Sequence, residues 1–217
     1  RIIAYAGHEI QEFNEIYIND EVITLDGSGN VTSPSRYNGF IRINKHLGTS
    51  GQAADSDLVS ESTKWTLEHR LRGISYLYVR LNFDKDVYTN GVPNITFEVE
   101  GKKVFDPRDS STAFSTNPAL CIRDYLTSNY GLAENVANVD DALVITAANI
   151  CDQTNTLAST TRYTCNGAFV TSITPLDFLN DIITSFGGML WYSQGKWRMK
   201  PAYFTSVQLA LTDDDLR

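Results

Sequence analysis

GISYLYVRLNFDKDVYTNGVPNITFEVEGKKVFDPR, residues Gly73 to Arg108, is the stretch on which the fold turns. Leu77, Val79, Leu81 and Phe83 fall on one face of an extended segment, with Tyr76 and Tyr78 on the other. A period of two in β-branched and aromatic residues is the signature of a strand. Asn90-Gly91 and Pro93 break the run, because Gly accepts positive φ and Pro has no N–H to donate. A second strand is predicted beyond them, completing a central hairpin, with Ile95, Phe97 and Val99 inward and Thr96, Glu98 and Glu100 outward. Gly101 is read as a turn into Lys102-Lys103-Val104-Phe105, and Asp106-Pro107 as the stop. Tyrosines opposite an apolar face leave neither side solvated. The first strand is therefore expected to be covered on both faces, inside an assembly or a barrel wall.

Upstream of this stretch the pattern is also β. Glu15 to Ile18 reads as a strand, Asn19-Asp20 as a turn and Val22 to Leu25 as the return strand. Asp26, Ser28 and Asn30 alternate as in a calcium loop, but Val31 stands where the loop needs Gly and Tyr37 where it needs a bidentate Glu. A tight turn is the better reading. Arg36 to Asn44 is an aromatic-rich extended run. Gly48 to Ser62, with Asp55, Asp57 and Glu61, reads as a long exposed loop, and Trp65, Leu67 and His69 as further alternation.

After Pro107 the spacing becomes helical. Asn117 and Pro118 suit the cap and first position of a helix carrying Ala119, Ile122, Leu126 and Tyr130, with Gly131 as its stop. A second helix starts after Asp140, with Leu143, Ala147, Ile150 and Cys151 inward. Thr161 to Phe169 reads as a strand. Thr174 to Asp177 opens a third helix, with Leu176, Leu179, Ile183 and Phe186 inward, that ends at Gly187-Gly188. A hairpin about Ser193-Gln194-Gly195 follows, then a short strand over Val207 to Leu211. The fold class is α+β. Residues 1–110 form a β-rich part of antiparallel sheets or a small barrel, and residues 111–217 a mixed α/β part with about three helices and a C-terminal hairpin.

At 217 residues and 42% hydrophobic the chain can bury a real core. Its net charge of −8 repels phosphate, which argues against a dedicated nucleic-acid binder. No run approaches the roughly 18 apolar residues of a membrane-spanning helix. The chain begins at Arg1 rather than Met and is read as an internal piece of a longer protein. Cys121, Cys151 and Cys165 are odd in number and widely spaced, which fits buried reduced thiols better than a disulfide framework or a zinc site. His8, His46 and His69 are scattered, with no pair at metal-ligand spacing.

No nucleophile elbow, P-loop or dinucleotide fingerprint is present. Ser193-Gln194-Gly195-Lys196 matches Ser-x-x-Lys, but across a hairpin turn rather than along the helix that the chemistry requires. Asp140-Asp141 reads as a helix start rather than an acid/base pair. Tyr76, Tyr78, Trp191, Tyr192 and Trp197 suit a sugar-stacking platform, although strand aromatics are more often core or interface. No catalytic, cofactor or metal residue is assigned, and the physics alone gives an α+β structural or binding module.

EIYINDEVITLDGSGNVT, the Gly73–Arg108 stretch, NPALCIRDYLTSNYGL, YTCNGAF, GGMLWYSQGKWRMKPAYF and LTDDDLR together resemble the tail-tip host-specificity protein of lambda-like long-tailed bacteriophages. This is the tip attachment protein J family, related to baseplate hub proteins. The resemblance runs nearly end to end. It implies a virion protein assembled in the host bacterial cytoplasm, with three copies ringing the lumen at the distal end of the tail tube. The implied partners are tape measure and distal tail proteins, with DNA passing through without specific binding. Contact with the host envelope is implied through regions absent from these residues. The family supplies no catalytic set to carry over, and the chain is expected not to be an enzyme. Tyr76, Tyr78 and Tyr88 are the candidate interface residues, expected on an exposed apolar patch. The competing readings are a carbohydrate-binding module contacting surface glycan and a cell-wall hydrolase domain.

Overall fold

The computed structural model describes residues 1–89 and 91–204. Asn90, the Val207–Leu211 strand and the LTDDDLR motif lie outside the described residues. The chain divides into two compact units, Arg1–Lys103 and Val104–Arg217.

The first unit opens with β1 (Ile2–Ala6), β2 (Ile10–Ile18), β3 (Glu21–Val22), β4 (Thr24–Leu25), β5 (Val31–Ser33) and β6 (Ile41–His46). Helix α1 (Ser56–Glu61), β7 (Ser75–Leu81) and β8 (Ile95–Asp106) follow, and the boundary between the units falls within β8. The Asn19-Asp20 turn holds both residues at positive φ, 51° and 65°, as a two-residue turn between β2 and β3 requires. Asp26 anchors the next turn: Oδ1 accepts from the N–H groups of Ser28 and Asn30, each at 2.8 Å. Tyr37 lies in a 3₁₀ turn rather than in the expected extended run, which begins as β6 at Ile41.

The predicted central hairpin does not form. β7 is the middle strand of an antiparallel sheet β1-β7-β6, whereas β8 pairs with β2 in a second sheet. Both sheets have open strand orders and neither closes into a barrel. Gly101 makes no turn, because β8 stays paired past it, with Lys102 opposite Ile10. Phe83 lies beyond the end of β7 and is 86% exposed. Ile10, Phe13, Ile16, Ile18, Ile41, Ile43, Leu77 and Val79 make the core of the unit, joined at its margin by Ile95, Phe97 and Val99 of β8. In β2 the register against β8 shifts between Phe13 and Ile16, which lets both side chains turn inward. That irregular spacing is why only the end of β2 reads as a strand from the sequence.

In the second unit the end of β8 turns at Asp106 into β9 (Ser111–Phe114). Then come α2 (Pro118–Thr127), α3 (Asp141–Cys151), β10 (Thr154–Asn155), β11 (Thr160–Thr161), α4 (Pro175–Ser185), β12 (Met189–Ser193) and β13 (Lys196–Lys200). The three expected helices begin at their expected caps, with Asn117, Asp140 and Thr174 accepting from the first-turn N–H groups of Ala119, Leu143 and Asp177. α2 ends at Thr127, before Tyr130 and Gly131. The chain then folds back, so that Leu132 N–H donates to Tyr125 O and Glu134 N–H to Leu126 O. Gly131 is needed for that close approach, since a Cβ there would lie 1.9 Å from Tyr125 O.

The buried face of α3 is Val144, Ala147, Ala148 and Cys151, turned slightly from the expected one. Leu176, expected inward, is 68% exposed, while Leu179, Ile182 and Phe186 are buried. Of the expected Thr161–Phe169 strand only Thr161 lies in one, as part of β11, the short ladder partner of β10. β12 and β13 form the expected hairpin, with Gln194 and Gly195 at φ 52° and 76°.

Gly187 ends α4 at φ +57°, where a Cβ would stand 3.2 Å from the Ala202 Cβ. Gly187→Val is expected to cost about 1–3 kcal/mol, because a β-branched side chain is strained at positive φ. Urea unfolding checks this, and an unchanged midpoint would refute it.

Candidate functional site

In the first unit the polar side chains converge where α1 covers the outer face of the β6–β7 pair. The Gly48–Ser62 segment is not the exposed loop that the sequence implied. Its acids bond to cations and amides on the strands, and Asp55 is buried by doing so. Asp55, at 3% exposure, caps α1 by accepting from Leu58 N–H at 2.8 Å. Its other oxygen, Oδ2, is joined to His46 Nε2 at 2.6 Å and accepts from Asn44 Nδ2 at 2.9 Å. Asn44 Nδ2 also donates to Asp57 at 2.8 Å. Glu61, at the end of α1, accepts from Arg42 at 2.7 Å and from the Tyr78 hydroxyl at 2.5 Å, with Arg80 at 3.3 Å. The buried Gln52 secures the rest of the segment. Its Oε1 accepts from Gly48 N–H at 2.8 Å, and its Nε2 donates to Leu71 O at 2.8 Å.

The electrostatics follow from these contacts. Desolvation is the largest influence on Asp55 and pushes its carboxyl up. The hydrogen bonds from His46, Leu58 N–H and Asn44 together outweigh it and hold the group below the ordinary 3.8. Glu61 is held low chiefly by the Tyr78 hydroxyl, with Arg42 and Arg80 assisting against a desolvation penalty. Tyr76 is pushed up to about 12, mainly by burial and then by the Asp55 charge. Tyr78 is also pushed up to about 12, by burial and by its bond to Glu61.

The candidate interface tyrosines are placed differently from the expectation. Tyr76 is 0% and Tyr78 5% exposed. Both pack beneath Leu58, with Ile2, Trp65 and Leu71 at the margin, and the Tyr76 ring stacks on His46 at 4.3 Å between centroids. The cover over β7 comes from the unit's own α1, so these two tyrosines offer no surface patch. Tyr88 is partly buried, donates to Phe40 O at 3.1 Å and lines a recess of about 60 Å³ with Tyr37, Val87 and Pro93. The five aromatics proposed as a sugar platform do not serve as one, because Tyr76 and Tyr78 are inaccessible. Tyr192 is exposed, and Trp197 donates to Glu134 at 3.1 Å.

The network at α1 was absent from the sequence reading. The signal was an acid at each end of a short helix, with His46 and Arg42 at alternate positions of the preceding strand. Chemically it is a fastening. The Asp55 and Glu61 oxygens are already occupied as acceptors, so neither is poised as a general base. In the second unit Asp140 caps α3 and Asp141 holds Arg123 through bonds of 2.7 and 3.0 Å, so that acidic pair is likewise engaged. Ser193 and Lys196 face each other across the β12–β13 turn, without the helical spacing of a serine–lysine acylase. No group of three or more His, Cys, Asp or Glu residues able to hold a metal occurs among the described residues.

No protein-family model matches the chain, and the search of curated proteins gives no match. Among solved structures the chain is similar to one from the virion of a native gene transfer agent particle, with a TM-score of 0.47 and 17% identity. The alignment covers 99% of this chain and 49% of that one, so this chain spans about half the length of its neighbour. A likeness at that level carries no argument about what this chain does.

Asp55→Asn should destabilise the protein by about 1–3 kcal/mol at neutral pH, since the charged acceptor for His46 and Asn44 is lost. The folded carboxyl lies below the unfolded value of 3.8, so its contribution is present above that value and fades as pH falls through the lower folded value. Urea unfolding of both proteins near neutral pH and well below 3.8 tests this. A gap that fails to narrow in acid would refute the assignment.

Proposed function

We propose that this chain is a non-enzymatic structural module of a phage-like particle, specifically part of the hub that rings the distal lumen of a tail tip. The reading is carried by the sequence resemblance taken together with where its most specific stretches lie. KKVFDPR covers the end of β8 and its turn, where Arg108 joins Asp106 at 2.7 Å and Asp152 at 2.6 Å. NPALCIRDYLTSNYGL is α2 with its cap and fold-back. GGMLWYSQGKWRMKPA is the β12–β13 hairpin. Each of these stretches builds core and fastening, as a scaffold module requires.

In this role three copies would surround the tube, tape measure and distal tail proteins would be neighbours, and receptor contact would fall to other parts of a longer protein. The net charge of −8 suits a wall past which DNA slides without adhering.

Particles carrying an epitope tag on this chain test the proposal directly. Labelled electron micrographs should show the tag at the distal end of the tail, and averaged maps should place the chain with threefold symmetry. Label elsewhere on the particle would overturn the tail-tip assignment. A tight twofold dimer burying more than about 2,000 Å² in solution would count against the ring.

A further inference from the structure

The cysteines are far apart in sequence but share the core of the second unit. Cys121 lies early in α2, Cys151 is the last residue of α3, and Cys165 sits in the 162–174 segment, which contains no helix or strand. Cys121 Sγ is 3.6 Å from Ser115 O, and Cys165 N–H donates to Thr116 O at 2.8 Å. The two residues therefore flank the same Ser115-Thr116 step. Each thiol shifts the ionisation of the other. Cys151 is fully buried, whereas Cys121 and Cys165 are both partly open.

We propose that Cys121 and Cys165 are a cross-linking site, which closes to a disulfide when the folded protein meets a small-molecule disulfide such as oxidised glutathione. A disulfide needs two sulfurs close together with the backbones held in place, and the adjacent Ser115 and Thr116 carbonyls hold the Cys121 sulfur and the Cys165 backbone side by side. The neighbouring Cys121 thiol lowers the pKa of Cys165, making it the first thiolate, while Cys165 and burial raise that of Cys121. The Cys165 thiolate attacks one glutathione sulfur, forming a mixed disulfide and expelling one glutathione thiolate. Cys121 then loses its proton to solvent, and its sulfur attacks Cys165 Sγ, releasing the second glutathione. Two protein thiols are oxidised and one glutathione disulfide is reduced to two thiols. In the reducing cytosol the pair stays open, as expected for the protein at assembly. Closure fastens the irregular 162–174 segment to the start of α2.

The 217-residue chain, incubated with oxidised glutathione and mapped by mass spectrometry, tests this. The expected product has lost two hydrogens and yields a Cys121–Cys165 peptide pair, both in the wild type and in Cys151→Ser. Cys165→Ser should give no internal bridge. The oxidised wild type should melt higher by roughly 5 °C or more, and dithiothreitol should reverse the gain. The wild-type map decides the matter even if Cys151→Ser does not fold. Glutathione adducts without a bridge, a bridge to Cys151, or a bridged protein with no gain in melting temperature would each overturn the proposal.

Discussion

Burial of β7 on both faces is the constraint from which the rest of the first unit follows. Leu77 and Val79 require apolar partners on one side, and there they share a core with Ile10 and Phe13 of β2 and with Ile43 of the neighbouring strand β6. Tyr76 and Tyr78 require a cover on the other side, and no sheet provides it. A single short helix does so, and a helix of six residues has no stability of its own. Asp55 and Glu61 supply what propensity cannot. They fix the helix at both ends to cationic and amide groups on the strands, and Asp55 also satisfies a first-turn N–H of the helix. The acids in this segment serve to cover a strand, and only Asp55 is buried in doing so.

The second unit solves its own packing problem with two polar side chains. Asn117 caps α2 through Ala119 N–H, while its amide donates to Ala148 O and Asp152 at the end of α3. Arg123 is 5% exposed, pairs in bidentate fashion with Asp141 at the start of α3, and lies over the Phe105 ring at 4.8 Å. One residue thus ties the start of α2 to the end of α3, and the other ties the middle of α2 to the start of α3. A cation buried this deeply is tolerated only with matched partners, which Asp141 and the aromatic face provide.

Local signals were legible in the sequence and pairings were not. The caps at Asn117, Asp140 and Thr174, the Asn19-Asp20 turn and the β12–β13 hairpin depend on a few neighbouring residues, so their chemistry can be read directly. One partner of β7 is β1, more than seventy positions earlier, as the Ile3–Leu77 pair shows, and the other is β6; no local pattern encodes either choice. α1 was missed because its six residues are too few to show a helical period. Reading Tyr76 and Tyr78 as surface followed from that omission. Gly101 misled because a glycine within a long strand looks like a turn when its ladder partner is unknown. The candidate site was illegible for the same reason, since it joins strand and helix residues that meet only after the long-range pairing is made.

Tyr76 and Tyr78 occupy the same face of β7, yet their hydroxyls have different fates. That of Tyr78 donates to Glu61, whereas that of Tyr76 is buried with no partner among the described residues. An unmatched buried hydroxyl costs stability while its ring contributes. Over evolutionary time the two sites should therefore drift differently. A lineage can exchange tyrosine for phenylalanine at 76 and keep the stacking on His46 without penalty, but the same exchange at 78 removes an anchor of the helix. Neutral variation would separate two positions that the primary pattern presents as equivalent.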